Sequence, residues 1–207
     1  MNTVQTQPQE NIFKRILWLY GLYTLLSNVF FLAGYYLLPE GFMRGTYLGA
    51  IAEFVAQPET FWAEFGRTLV TNVGIVTVLC IVLNLMTVRG FSLGYFLPIS
   101  LGIVSGLVLG TNSFIADDLS HYGVREGMAL GLTIGGVEML GYILVIAATV
   151  NFEIYRYESW WRWNQKTIWV RRLNEIRLSG SEMLCLVVGI FLVLVGAYRE
   201  TAMAMNL

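Results

Sequence analysis

Apolar residues dominate five long runs of this chain, at about 16–38, 68–88, 91–114, 124–150 and 181–205. Each is close to the length that crosses a hydrocarbon layer of roughly 30 Å. Short polar breaks separate them: Pro39-Glu40-Gly41, Arg89-Gly90, and the stretch from Ala116 to Gly123. A longer loop, 151–180, precedes the last run, and a polar tail, 1–11, precedes the first. The tail lacks a signal-peptide layout, so the first run is expected to stay in place as a helix. Trp18, Tyr20, Tyr23, Tyr35 and Tyr36 cluster near its ends, as an interfacial aromatic belt does. Within 39–67, Pro58-Glu59-Thr60 reads as a helix start, followed by Phe61, Trp62 and Phe65 at helical spacing. That pattern predicts a short amphipathic helix lying in the interface. The expected fold class is therefore all-α: one integral membrane domain over 1–207, a polytopic bundle of about five spans with interfacial amphipathic helices.

Composition supports this reading. Hydrophobic residues make up 56% of the 207, and mean hydropathy is +0.62. Charged residues are 13%, about half the usual soluble share. The net charge of −1 gives no reason to expect nucleic acid as a partner. The placement of charge says more. With the N-terminus in the cytoplasm, Lys14, Arg15, Arg89, Arg156, Arg162, Lys166, Arg171, Arg172 and Arg177 lie inside, nine of the 13 basic residues. Arg44, Arg67, Arg125 and Arg199 lie outside. The positive-inside rule thus predicts a plasma (inner) membrane protein with its N-terminus cytoplasmic and its C-terminus outside.

Candidate chemistry is sparse. Cys80 and Cys185 sit inside apolar runs and read as small buried hydrophobes. With a single histidine, His121, and no Cys-x-x-Cys, no metal or cofactor is expected. No nucleophile elbow or phosphate loop occurs, so the expectation is a non-enzymatic protein. The third run carries Gly102, Gly106 and Gly110, and the fourth Gly127, Gly131 and Gly135. Glycines four apart leave a smooth stripe that lets two membrane helices approach closely. These stripes predict that the third and fourth spans pack against each other. Glu126, Glu138 and Glu200, with Asn72, Asn84 and Asn112, are the polar residues expected to be buried in the bundle. An acid at mid-membrane costs roughly 2.5–3.5 kcal/mol on insertion scales, so such groups pair, face the interior or serve a function.

The loop 151–180 mixes aromatic and basic residues, among them Trp160, Trp161, Arg162, Trp163, Lys166, Trp169, Arg171 and Arg172. Two readings are open: an interfacial amphipathic helix drawn to anionic lipid, or a docking surface for a cytoplasmic partner.

Gly123, Glu126 and Ala129 open the fourth run, followed by Gly135-Gly136 and Gly141-Tyr142. Upstream, Phe61, Trp62 and Phe65 lead to Asn72, and Gly90 and Gly94 follow Arg89; downstream, Ala197 precedes Glu200 in an Ala-x-x-Glu. In the order and spacing of these elements the chain, over about 60–205, resembles the stage II sporulation protein M family of bacterial and archaeal integral membrane proteins. That family's fourth-run signature carries a histidine where Tyr122 stands here; His121 falls one place early, so no role resting on that imidazole is carried over. The resemblance implies a non-enzymatic membrane subunit of a multiprotein complex, either a scaffold or, because the family's fold is similar to the membrane subunits of ABC exporters, a permease-like partner of a cytoplasmic ATPase. The expected partners are the bilayer and other membrane subunits, a second copy of the chain included. Two other readings stand beside it: an ion-coupled small-solute carrier using the buried glutamates, and an accessory subunit of a bioenergetic membrane complex.

Overall fold

Asn11 starts the first helix by accepting a hydrogen bond from Phe13 N at 3.0 Å, the usual device for satisfying an orphan helical N–H. From there α1 runs over Ile12–Leu37 and ends where Leu38 turns extended ahead of Pro39. The computed structural model of the chain describes residues 11–46, 60–113, 123–131, 135–159 and 167–205. The polar tail up to residue 10, together with Pro58, Glu59, Asp117, Asp118, His121 and Tyr122, lies outside the described residues.

Thr60 caps the next helix through Ala63 N. This helix, α2, spans Phe61–Leu83 without interruption. The amphipathic segment expected to lie flat in the interface is instead its first turns. The reason is local: Thr60 supplies the cap, no proline stands between Phe65 and Thr68, and the helix continues through Gly66. Val70–Thr77 within it is a π-helix. Helix α2 stops at Leu83, short of the predicted 88, because Asn84 takes up the helix end and Met86–Val88 becomes a strand, β1. Arg89 and Gly90 both have positive φ, 51° and 81°, the signature of a two-residue primed hairpin turn. They return the chain into β2, Phe91–Ser92. After one 3-10 turn, α3 covers Phe96–Gly110. The fourth run appears as two helices, α4 over Val124–Leu130 and α5 over Gly136–Thr149. The chain then forms β3, Tyr155–Tyr157, and β4, Ile168–Trp169. Helix α6 spans Gly180–Ala204 and opens on a reciprocal capping box between Ser179 and Glu182.

The protein is mostly helical. Among the described residues, four helices are long and apolar enough to cross a membrane: Ile12–Leu37, Phe61–Leu83, Leu93–Gly110 and Gly180–Met203. The all-α expectation omitted a small four-stranded sheet, ordered β2-β1-β3-β4. Strand β1 pairs antiparallel with β2 and parallel with β3, which pairs antiparallel with β4. Among the described residues of 151–180 there is no amphipathic helix; Tyr155, Arg156, Tyr157 and Trp169 enter strands, and the helical pieces ahead of α6 are 3-10 turns at Val150–Phe152 and Leu173–Glu175.

Helix α5 is the central element: Met139, Tyr142, Ile143, Val145 and Ile146 join Leu19, Tyr23, Cys80 and Val193 in the core. The glycine stripe of α3 does not face the fourth run. A Cβ on Gly106 would lie 2.4 Å from Ser27 O, and one on Gly110 2.3 Å from Phe31 O, both on α1. The stripe is therefore the α1–α3 seam. A second seam joins α5 to α6, where a Cβ on Gly141 or on Gly189 would each lie 2.8 Å from the other's carbonyl oxygen. The short α4 also packs on α1: a Cβ on Gly127 would lie 2.7 Å from the Phe31 ring. Gly131 approaches α3 only through Leu109 Cδ1, and Gly135 faces the Tyr23 hydroxyl at 3.5 Å. Spacing specifies a smooth face but not which helix fills it. Here α1 presents Ser27 and Phe31 backbone to the α3 stripe, which leaves the fourth run to pack elsewhere.

Candidate functional site

The polar residues gather at two levels of the bundle. At the sheet end, Asn84 is fully buried. Its Nδ2 donates to Ile146 O at 2.9 Å and to Thr149 Oγ1 at 2.7 Å, and Ser92 donates to its Oδ1. The close approach of Gly94 leaves room for this amide, since a Cβ there would overlap Asn84 Oδ1. Arg15 Nη1 donates to Ala147 O at 2.9 Å, a cation at the C-terminal end of α5 where the helix dipole favours it. Asn151 Nδ2 donates to Glu182 Oε1 at 2.6 Å, tying the exit of α5 to the start of α6. Ile154 N and Tyr155 N both donate to Leu85 O. These bonds join the ends of α1, α2, α5 and α6 to the sheet.

On the sheet, Glu153 accepts from Arg156 Nε and Nη2, each at 2.7 Å, and from the Thr87 hydroxyl. Burial pushes the Glu153 carboxyl up, but the hydrogen bonds from Arg156 and Thr87 and the Arg156 charge outweigh it and hold the group below the usual carboxylate range. The hydrogen bond to Glu153 in turn raises the Arg156 guanidinium further. Arg89 and Arg172 are exposed, as are Ile168, Trp169 and Leu173. Arg171 is half-buried. Trp160, Trp161, Arg162, Trp163 and Lys166 lie outside the described residues.

The second level lies where α2, α5 and α6 meet. Tyr142 donates its hydroxyl to Glu138, and Glu138 packs against Gly196 of α6, whose Cβ would lie 3.0 Å from Glu138 Cβ. Asn72 Nδ2 donates to Glu200 Oε2 at 3.4 Å. Glu64, a residue sequence reasoning passed over, is more deeply buried than any of the three glutamates it singled out, at 4% exposure. The signal was present: Glu64, Thr68 and Asn72 stand at i, i+4 and i+8, one stripe of α2.

Two of the expected buried acids are placed differently. Glu126 is exposed and accepts from Gly123 N at 3.3 Å; it closes the start of α4, where a carboxylate suits the helix dipole. Glu200 is exposed on the flank of α6, one turn from its end. Asn112 is buried at the opposite end of the bundle from the sheet, with φ 48°, and donates to Glu40 Oε1 at 2.9 Å. Among the described residues no cluster of three or more histidine, cysteine or acidic side chains is placed to hold a metal ion. No protein-family model, curated protein or solved structure matches this chain.

Proposed function

We propose that this chain is a non-enzymatic integral membrane subunit of a multiprotein complex in the plasma membrane, crossing it five times with the N-terminus cytoplasmic and the C-terminus outside. The fifth crossing is α4 followed by α5. The observation that carries the reading is the sheet platform. Two loops distant in sequence, 84–95 and 151–179, build one sheet at the end where α1 begins, α2 and α5 end, and α3 and α6 begin. It is pinned to the helices by Arg15, Asn84 and Asn151 and turns Arg89, Trp169, Arg172 and Leu173 outward. A platform braced from five helix ends and faced with arginine and tryptophan suits protein docking, because those residues carry interface energy. It lies on the side that the positive-inside count makes cytoplasmic. The resemblance to the stage II sporulation protein M family favours the same class, as a scaffold or as a permease-like partner of a cytoplasmic ATPase.

The test is affinity purification of the tagged full-length chain from its native membranes, followed by subunit identification and an ATPase assay. A stoichiometric companion is expected, and Arg89→Glu combined with Trp169→Ala is expected to release it while leaving the melting temperature of the purified protein within about 2 °C, as surface changes away from caps and core usually do. Recovery of a lone protomer, or a companion indifferent to those substitutions, would overturn the reading.

A further inference from the structure

Between α2 and α6 lies a group of buried oxygens that the bundle itself leaves unsatisfied. Phe61 and Phe65 pack edge-on against Tyr198, with ring centroids 5.6 and 6.2 Å away, so the first turns of α2 lie along the last turns of α6. On the stripe facing this contact come Glu64, Thr68 and Asn72, and Asn72 reaches Glu200 across the seam.

Thr68 is the informative residue. A buried helical threonine ordinarily returns its hydroxyl to the carbonyl one turn back. Thr111, Thr149 and Thr201 do so, at 2.7, 2.7 and 2.9 Å. Thr68 does not: it is 2% exposed and its Oγ1 has no hydrogen-bond partner. One turn earlier, Glu64 Oε2 also accepts no hydrogen bond, although Arg67 Nη2 stands 3.6 Å from it. Two unsatisfied buried oxygens on adjacent turns of one stripe are costly unless something fills the space between them.

The oxygen donors along this seam are the Glu64 carboxylate and the Thr68 hydroxyl, both buried on α2, and the Glu200 carboxylate at the exposed rim of α6, which accepts from Asn72 Nδ2. Oxygen sets select hard cations. A divalent ion would call for more carboxylates and six or more ligands, or a near-ideal octahedron with retained waters. Two acids, one of them beside an arginine, leave about one charge to neutralise. We infer that Glu64, Thr68, Asn72 and Glu200 form a binding site for a single small monovalent cation of the sodium class. Thr68 lies seven residues into α2, roughly 10 Å from its start at 1.5 Å per residue, so the site opens to water at the end of the bundle opposite the sheet.

The experiment uses the full chain in nanodiscs of zwitterionic lipid, with thermal unfolding followed in sodium chloride against N-methylglucamine chloride at equal ionic strength. Because a ligand that binds only the folded state stabilises it by mass action, sodium is expected to raise the melting temperature saturably, by roughly 3 °C or more. Thr68→Val and Glu200→Gln should each weaken the sodium response about ten-fold or more, whereas Thr68→Ser and the remote Glu126→Gln keep it. Radioactive sodium binding to wild type and to Glu200→Gln provides a readout independent of folding. Equal melting in both salts, or a sodium response intact in Thr68→Val, overturns the inference; so does a rise that follows pH and not sodium, which assigns the site to a proton.

Discussion

A single methyl group separates a tolerated from a damaging change at the glycines. At Gly106 it would enter the space held by Ser27 O and Phe31 N, 2.4 and 2.9 Å from the new carbon. Both are backbone atoms of α1 and cannot rotate away. Gly106→Ala is expected to destabilise by about 1–3 kcal/mol, the usual cost of overpacking, read as a lower melting temperature in detergent. Gly21→Ala on the same α1, where nothing lies within 4 Å, is expected to be neutral or slightly stabilising. Asn84 gives a second case. Replacing it with leucine strands the Ser92 hydroxyl and Ile146 O, at about 1–3 kcal/mol for each buried group left unpaired; chemical denaturation of the purified protein checks this. At this scale the sequence was partly readable. Gly102, Gly106 and Gly110 announced a close seam through their spacing, and Asn84 stood out as polar in an apolar run. The partner helix was not readable, because all the runs are similarly apolar and a smooth stripe carries no address. Glu64 was missed because it precedes the second apolar run as it reads, in a stretch that looked interfacial, and Thr68 because it stands at the first position of that run.

Among the elements, the sheet was the least legible. Strands of two and three residues show no period-two pattern, and a pairing of β1 with β3 spans nearly 70 residues. Only local composition hinted at it: Tyr155-Arg156-Tyr157 and Ile168-Trp169 are aromatic and β-branched, which suits strands better than helix. The turn is testable. Arg89 adopts φ 51° ahead of Gly90 at φ 81°, and asparagine tolerates that conformation better than arginine. Arg89→Asn is expected to raise the stability of the sheet by a few tenths of a kcal/mol up to about 1 kcal/mol, measured by amide exchange of β1 and β2. Glu153 gives the sheet a pH dependence. Its carboxyl is held below its ordinary value in the folded state. Its contribution is therefore complete above the unfolded value near about 4.3 and is lost as pH falls through the lower folded value. Trp169 packs edge-on to Tyr155 at 5.1 Å, so the environment of these rings should change on the acid side of pH 4.3. In Glu153→Gln that transition should disappear; an unaltered acid limb would remove Glu153 from the account.

For the molecule as a whole, four of the apolar runs overlap helices long and apolar enough to cross a membrane, since burial in lipid needs only length and hydropathy. The ends of the second run were misjudged where capping decided the matter, at Thr60 and Asn84. The proposed five-crossing arrangement predicts that cysteines introduced at Arg89 and Arg172 react with a membrane-impermeant thiol reagent from one side of sealed vesicles and a cysteine at Arg125 from the other; labelling of all three from one side refutes the arrangement. The wide coil at Val70–Thr77 has its own consequence. A π-turn amounts to one surplus residue in an α-helix. Removing any one residue there lets the coil tighten, so α2 can absorb a deletion that would shear a regular α-helix. The same deletion in a regular stretch would turn everything ahead of it by about 100°. Here Cys80 and Asn84 would keep their places, and Glu64 and Thr68 would stay close to the face they now present to α6.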